Sequence, residues 1–206
     1  MKRTGFTLVE LMVAVAILSI VMAILFVLAT TLGEASQVQE AKITTVDDAR
    51  DGMLRLVRNL RQAAVMSINW PGLPGETLTF RAATDVDGNG TAVDVGVELE
   101  LTGIRTLSRD LTDLNGDGLT VTQLIMEEGG QATVITNGLL PNEDANANDT
   151  LDAGEDLNFN GFLDRGLWFE PVGRAIRVTI QTQRASAAPQ GIPITTTLFE
   201  TVAPRN

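Results

Sequence analysis

The stretch NEDANANDTLDAGEDLNFNGFLD, residues 142–164, carries seven carboxylates and no basic residue, so it repels itself unless a cation neutralises it. Its oxygen-bearing side chains recur at alternate positions. Counted from Asp144, the residues Asp144, Asn146 and Asn148 stand at positions 1, 3 and 5, Thr150 at 7, Asp152 at 9 and Glu155 at 12, with apolar Leu151 at 8. That is the spacing of a twelve-residue calcium loop. Alternate oxygens converge as the chain curls round the ion, position 7 offers its main-chain carbonyl, and a long bidentate Glu closes the shell. Position 6, ordinarily Gly, is Asp149, a residue type that also visits left-handed backbone. A second copy begins at Asp156: Asp156, Asn158, Asn160, the Phe162 carbonyl and Asp164 fill positions 1, 3, 5, 7 and 9, Gly161 fills 6, and Leu167 replaces the closing Glu. All-oxygen ligands, several of them neutral, suit calcium over transition metals. The alternative is a hydrophilic Asx-turn loop with no ion.

Two shorter runs begin in the same way and then enter strand: Asp85, Asp87 and Asn89, and Asp113, Asn115 and Asp117. For these a plain hairpin turn competes equally with metal, since Asn-Gly and Asp-Gly form turns unaided. Asn89-Gly-Thr91, with Asp87 ahead of it, and Asn148-Asp-Thr150 also read as glycosylation sequons. The tandem loops at 144 and 156 resemble those of dockerins and other bacterial secreted proteins, without the flanking helices of a true EF-hand.

Between residues 85 and 164 there are seventeen Asp or Glu against Arg105 and Arg109 alone, within a chain of net charge -11. Cations, not nucleic acid, are the expected partners. The chain has no Cys and no His. No disulfide can staple it, zinc lacks its thiolate and imidazole ligands, and chemistry that needs a His base or Cys nucleophile is excluded. A glycosidase built on carboxylates alone is the weakest alternative, because the clustered acids have ligand spacing and no aromatic platform for a substrate.

Elements must hold these loops, and the first is set by the N-terminus. From Phe6 to Leu32 the 27 residues carry one charge, Glu10, and no Gly or Pro; at about 1.5 Å per residue this helix spans roughly 40 Å, against about 30 Å of hydrocarbon. A secretory signal peptide fits the basic Lys2 and Arg3, but its apolar core is about half this length. A plain anchor gains nothing from Glu10, whose carboxylate costs about 2.5–3.5 kcal/mol at the bilayer centre.

Gly5-Phe6-Thr7-Leu8-Val9-Glu10, behind a short basic leader and ahead of an unbroken apolar helix, resembles the processing site of type IV prepilins and type II secretion pseudopilins. The resemblance implies cleavage between Gly5 and Phe6 by a prepilin peptidase, N-methylation of Phe6, and pairing of Glu10 with the terminal amine of a neighbouring subunit. Two charges that are each costly in lipid then neutralise one another when a partner arrives in register. Many family members carry a helix-breaking Pro or Gly in the membrane half. Its absence here leans toward a minor, tip-located subunit.

From Glu34 to Ser67 the pattern turns amphipathic, with Ile43, Val46, Met53, Val57, Leu60 and Ala64 as an apolar stripe. Gly52 is its weak point, at roughly 1 kcal/mol relative to Ala. Trp70-Pro71-Gly72-Leu73-Pro74-Gly75 ends the helix. Strict alternation marks strands at 93–101 and 176–181, and weaker signals mark 77–82, 119–126, 132–136, 167–170 and 194–202. The expected class is α+β: a pilin-like fold whose long N-terminal helix, transmembrane and then amphipathic, packs on an antiparallel β-sheet head with acidic calcium-loop insertions. The divisions are a leader 1–5, a membrane or filament-core helix 6–33, its continuation 34–67, and a head 76–206 with the acidic insertion 142–164. The order of head elements is loosely similar to W-type minor pilins and J-type minor pseudopilins.

The resemblance implies a non-enzymatic filament subunit whose partners are other pilin or pseudopilin subunits, the prepilin peptidase, the inner-membrane assembly platform and lipid. The precursor sits in the bacterial inner membrane with its head outside the cytoplasm, before joining a periplasmic pseudopilus or an extracellular pilus. Calcium takes the place of the disulfide common in that family. A major pilin and a membrane-anchored calcium-dependent adhesin or binding module are the alternatives.

Overall fold

Residues Leu8–Gln62 form α1, one helix of 55 residues, roughly 80 Å long. The computed structural model describes residues 8–85, 87–88, 91–92, 99–144, 146–157, 161–186 and 193–205. The expected strand at 93–101 therefore lies largely outside the described residues. No residue from 8 to 40 is buried, so roughly 50 Å of helix extends beyond the head. It is the only helix among the described residues long and apolar enough to cross a membrane.

Burial begins at Ala41 and follows Thr45, Ala49, Gly52, Met53, Leu56, Val57 and Leu60, which share one face by their three- and four-residue spacing. This corrects the expected stripe. Ile43 is 62% exposed and Val46 is 36% exposed, because the head meets the upper helix through its small residues, which allow close approach, and Ile43 points away. Further along, Leu56 and Leu60 are fully buried. Each contributes about 1.5–3 kcal/mol, more than the roughly 1 kcal/mol that glycine costs in a helix, so the helix runs through Gly52.

The helix stops at Gln62, five residues before the expected Ser67. No breaker stands there. Ala63 pairs with Ala82 and Ala64 with Arg205 as isolated β-bridges, and a short 3-10 turn, Val65–Ser67, follows. Two good helix formers are thus drawn into sheet contacts by the tertiary structure.

The head has two antiparallel sheets. The first contains β1 (Leu78–Phe80), β2 (Arg105–Arg109), β3 (Gln123–Glu128) and β4 (Gln131–Asn137) in sequential order; the second contains β5 (Leu167–Val172), β6 (Ala175–Ala185) and β7 (Pro193–Val202), also sequential. Bridges Gly75 to Phe169 and Leu139 to Thr182 join them. In β6 the buried Ile176, Val178, Ile180 and Thr182 alternate with Arg177, Thr179, Gln181 and Gln183, the period-two pattern of a strand with one covered face. Helix residues Leu56 and Leu60, with Ala63 just beyond the helix, share one core with Phe80, Leu107, Leu124, Phe169, Ile176 and Val178. The fold is α+β, a long N-terminal apolar helix followed by antiparallel sheets, as expected.

The expected strand at 119–126 is half right. Residues 119–122 are loop, where Val121 has φ of 65° and Val121 N–H donates to the Asp110 carbonyl, and the strand starts at Gln123. The acidic insertion leaves after β4 of the first sheet and returns to β5 of the second, and both of its roots bond to β6: the Leu140 N–H donates to the Gln181 carbonyl and the Gln181 N–H to the Gly166 carbonyl.

Candidate assembly segment and cation-binding loops

Glu10 lies in the first described turn of α1, beside Val9, Leu11 and Met12, each more than 60% exposed. Exposed large apolar side chains continue from there to Leu32. A surface of that extent on a monomer marks a membrane or protein contact, and here it surrounds one carboxylate. Gly5 and Phe6 lie outside the described residues.

The acidic insertion is held at its base by side chains that sequence spacing did not single out. Glu143, 1% exposed, accepts the Leu157 N–H at 2.9 Å on Oε1 and the Asp164 N–H at 3.1 Å on Oε2. Its own N–H donates to the Asp164 carbonyl at 2.8 Å. Gln181 of β6 accepts from the Arg165 and Gly166 N–H groups, at 2.8 and 3.1 Å, and donates to Asp164 Oδ1 at 2.7 Å. A buried Glu and a strand Gln thus clamp the two ends of the loop pair together. In sequence they look like one more acid and one more polar strand residue.

In the first loop, Asp144 Oδ1 accepts the Asn148 N–H at 2.9 Å. The amides of Asn146 and Asn148 both donate to Asp152 Oδ2 at 2.8 Å, and Glu155 Oε2 accepts the Asp152 N–H at 3.0 Å. Positions 3, 5 and 9 therefore converge on one point, with position 1 tied to 5 and position 12 tied to 9. Thr150, at position 7, donates its N–H to Asn148 Oδ1 at 2.8 Å. Asp149 has φ of 62°, the left-handed backbone that position 6 requires.

The nearest cation to this loop is Arg165, just beyond the insertion. Its guanidinium pairs with Asp144 Oδ2 at 2.7 Å and with Asp149, and lies 4.1 Å from the centre of the Trp168 ring. Burial pushes the Asp144 carboxyl up, but the Arg165 hydrogen bond and the Asn148 N–H outweigh it and hold the group below its ordinary value. The side chain is thus an anion under ordinary conditions.

The second loop is described in part. Asp156 Oδ2 accepts the Gly161 N–H at 2.9 Å, and Gly161 has φ of 76°, so positions 1 and 6 meet as in a cation loop. Asp164 is buried and Phe162 is 73% exposed. Asn158 and Asn160 lie outside the described residues.

Of the two shorter runs, Asp85 and Asp87 come together with Glu100, their carboxylate oxygens within 4.8 Å of one another. Glu100 lies within the strand expected at 93–101 and is not singled out by loop spacing, and Asn89 lies outside the described residues. In the other, Asp113 Oδ2 accepts the Gly118 N–H at 3.1 Å and Asn115 Oδ1 accepts the Asp117 N–H at 3.2 Å. The Gln123 amide and the Leu119 N–H hold the Asp117 carboxyl below its ordinary value, against a smaller effect of burial.

The family model described as the prokaryotic N-terminal methylation motif matches residues 1–26, a segment that ends within the apolar run and includes Gly5, Phe6 and Glu10. Neither the curated proteins nor the solved structures return a match. The motif belongs to precursors of structural filament subunits and implies processing by a prepilin peptidase and assembly with other pilin subunits. Carried on one long apolar helix followed by antiparallel sheets, it supports a type IV pilin- or pseudopilin-type protein.

Proposed function

We propose that the chain is a structural, non-enzymatic subunit of a type IV pilus or a type II secretion pseudopilus, cut between Gly5 and Phe6 and incorporated through α1, with calcium fixing the acidic loops of its head. The minor-subunit role is favoured, because the apolar helix carries neither Pro nor Gly between Phe6 and Leu32. The carrying observation is a single carboxylate, Glu10, in an exposed apolar helix and within the methylation motif. In lipid that carboxylate costs about 2.5–3.5 kcal/mol, and a matching cost falls on a terminal ammonium. Bringing the two together between neighbouring helices relieves both. Before assembly the precursor rests in the inner membrane with its head outside the cytoplasm. The convergence of Asn146, Asn148 and Asp152, together with the left-handed Asp149, supports calcium at the first loop, where rotating both amides would turn their oxygens onto the ion.

The test is Glu10→Gln in cells that assemble the filament. The variant is expected to be processed like the wild type and to stay in the membrane fraction without entering sheared filaments. Normal incorporation of Glu10→Gln would overturn the role given to this carboxylate.

A further inference from the structure

Between β2 and β3, residues 110–118 hold two enclosed carboxylate oxygens that no donor reaches. Asp110, the residue after β2, is 0% exposed. Its Oδ1 accepts the N–H groups of Thr112 at 3.2 Å and Leu114 at 3.1 Å. These flank Asp113, so the Asp110 carboxylate is turned into the loop that Asp113 opens. Its Oδ2 is buried without a hydrogen-bond partner, and so is Asp113 Oδ1. None of the ion pairs among the described residues involves either acid. The adjacent Arg109 is committed elsewhere, to the Val121 and Arg165 carbonyls and to Glu76.

A carboxylate oxygen enclosed by protein with no donor and no counter-charge is costly, and two on one loop call for a shared neutralising group. The surrounding spacing says which. Asp113, Asn115, Asp117 and Gly118 occupy positions 1, 3, 5 and 6 of a cation loop, and Gly118 N–H binds the outer oxygen of Asp113, Oδ2, at 3.1 Å, leaving Oδ1 inside. The loop lacks its closing acid, because position 12 is Leu124, fully buried in β3. We propose that Asp110 supplies the missing carboxylate from upstream, and that Asp110 and Asp113 together hold a calcium ion between β2 and β3, separate from the insertion at 142–164. Hard oxygen donors on an irregular loop, two of them charged, suit calcium over magnesium, which demands near-ideal octahedral geometry. In the insertion, by contrast, Arg165 already supplies a positive charge to Asp144. At residues 110–118 no side chain does so.

Calcium bound per chain is counted by equilibrium dialysis of the full-length protein in detergent, for wild type, Asp110→Asn, Asp113→Asn and the double variant Asp144→Asn/Asp156→Asn. The far-UV circular dichroism of each variant is recorded beside the count. The double variant is expected to keep one equivalent that disappears when Asp110→Asn is added, and Asp110→Asn alone is expected to bind one equivalent fewer than wild type. Asp113→Asn, at a half-exposed position, gives the same loss if Asp110→Asn fails to fold. Equal counts in wild type and Asp113→Asn would overturn the site and leave calcium at the insertion standing. Loss of all calcium in the double variant would do the same, and no calcium on wild type would overturn both.

Discussion

A Cβ at position 52 would lie 2.5 Å from the Thr136 Cβ and 2.9 Å from its hydroxyl. Thr136 cannot easily retreat, because its hydroxyl donates to the Asp48 carbonyl at 3.1 Å and its backbone is paired with Leu124 in the sheet. Helix propensity alone makes Gly52→Ala stabilising by roughly 1 kcal/mol. Overpacking against a fixed strand costs about 1–3 kcal/mol, and the sign reverses. Chemical denaturation of Gly52→Ala is expected to show a lower midpoint than wild type; a higher midpoint would mean that α1 and β4 are not in this close contact. The same scale explains what was legible in the loops. Alternate spacing is a property of sequence, so the convergence of Asp144, Asn146, Asn148 and Asp152 could be anticipated. Glu143, Glu100 and Asp110 could not, since burial of Glu143 and Asp110 and the approach of Glu100 to Asp85 and Asp87 are set by the fold, and nothing beside them in sequence reports it.

Arg109 ties the elements together. It leaves the end of β2, is 5% exposed, and donates to the Val121 carbonyl, to Glu76 Oε1 at 3.1 Å and to the Arg165 carbonyl at 2.9 Å. The last bond crosses from the first sheet to the start of the second. Arg109→Met keeps the stem and removes the donors, leaving two carbonyls to lose their partner at roughly 1–3 kcal/mol for each buried one. The expected result is a melting temperature several degrees lower, with N-terminal processing unchanged; an unaltered melt would show that the sheets are held together without it. This residue also hid β2 from the sequence. Leu107 is the one apolar side chain in Arg-Thr-Leu-Ser-Arg, and the second inward position is filled by a buried arginine, so the alternation reads as polar. The strand β6 had no such inversion and was plain. The helix is plain too, but its buried face departs from the expected stripe where the head touches Ala41, Thr45 and Ala49 in place of the larger Ile43 and Val46.

At the scale of the whole molecule, an exposed apolar helix and a strongly acidic head divide the chain into an apolar part and an anionic part, and the proposed function gives the first to lipid or sister helices and the second to calcium. A ligand present at about a hundred times its dissociation constant stabilises a fold by roughly 2.7 kcal/mol, which for a domain of this size is several degrees of melting temperature. Excess EGTA is expected to lower the melting temperature of the head by that amount and calcium to restore it, while an unchanged curve would remove calcium as a structural partner. The account as a whole rests on Gly5 and Phe6, and N-terminal mass spectrometry of the membrane-expressed chain, with and without a prepilin peptidase, tests it most directly. A mature chain beginning at N-methylated Phe6, formed only when the peptidase is present and lost on substituting Gly5, is the predicted result. A chain that still begins at Met1 beside the peptidase, or that begins beyond the apolar run ending at Leu32, would contradict it and make the apolar helix an anchor or a signal peptide.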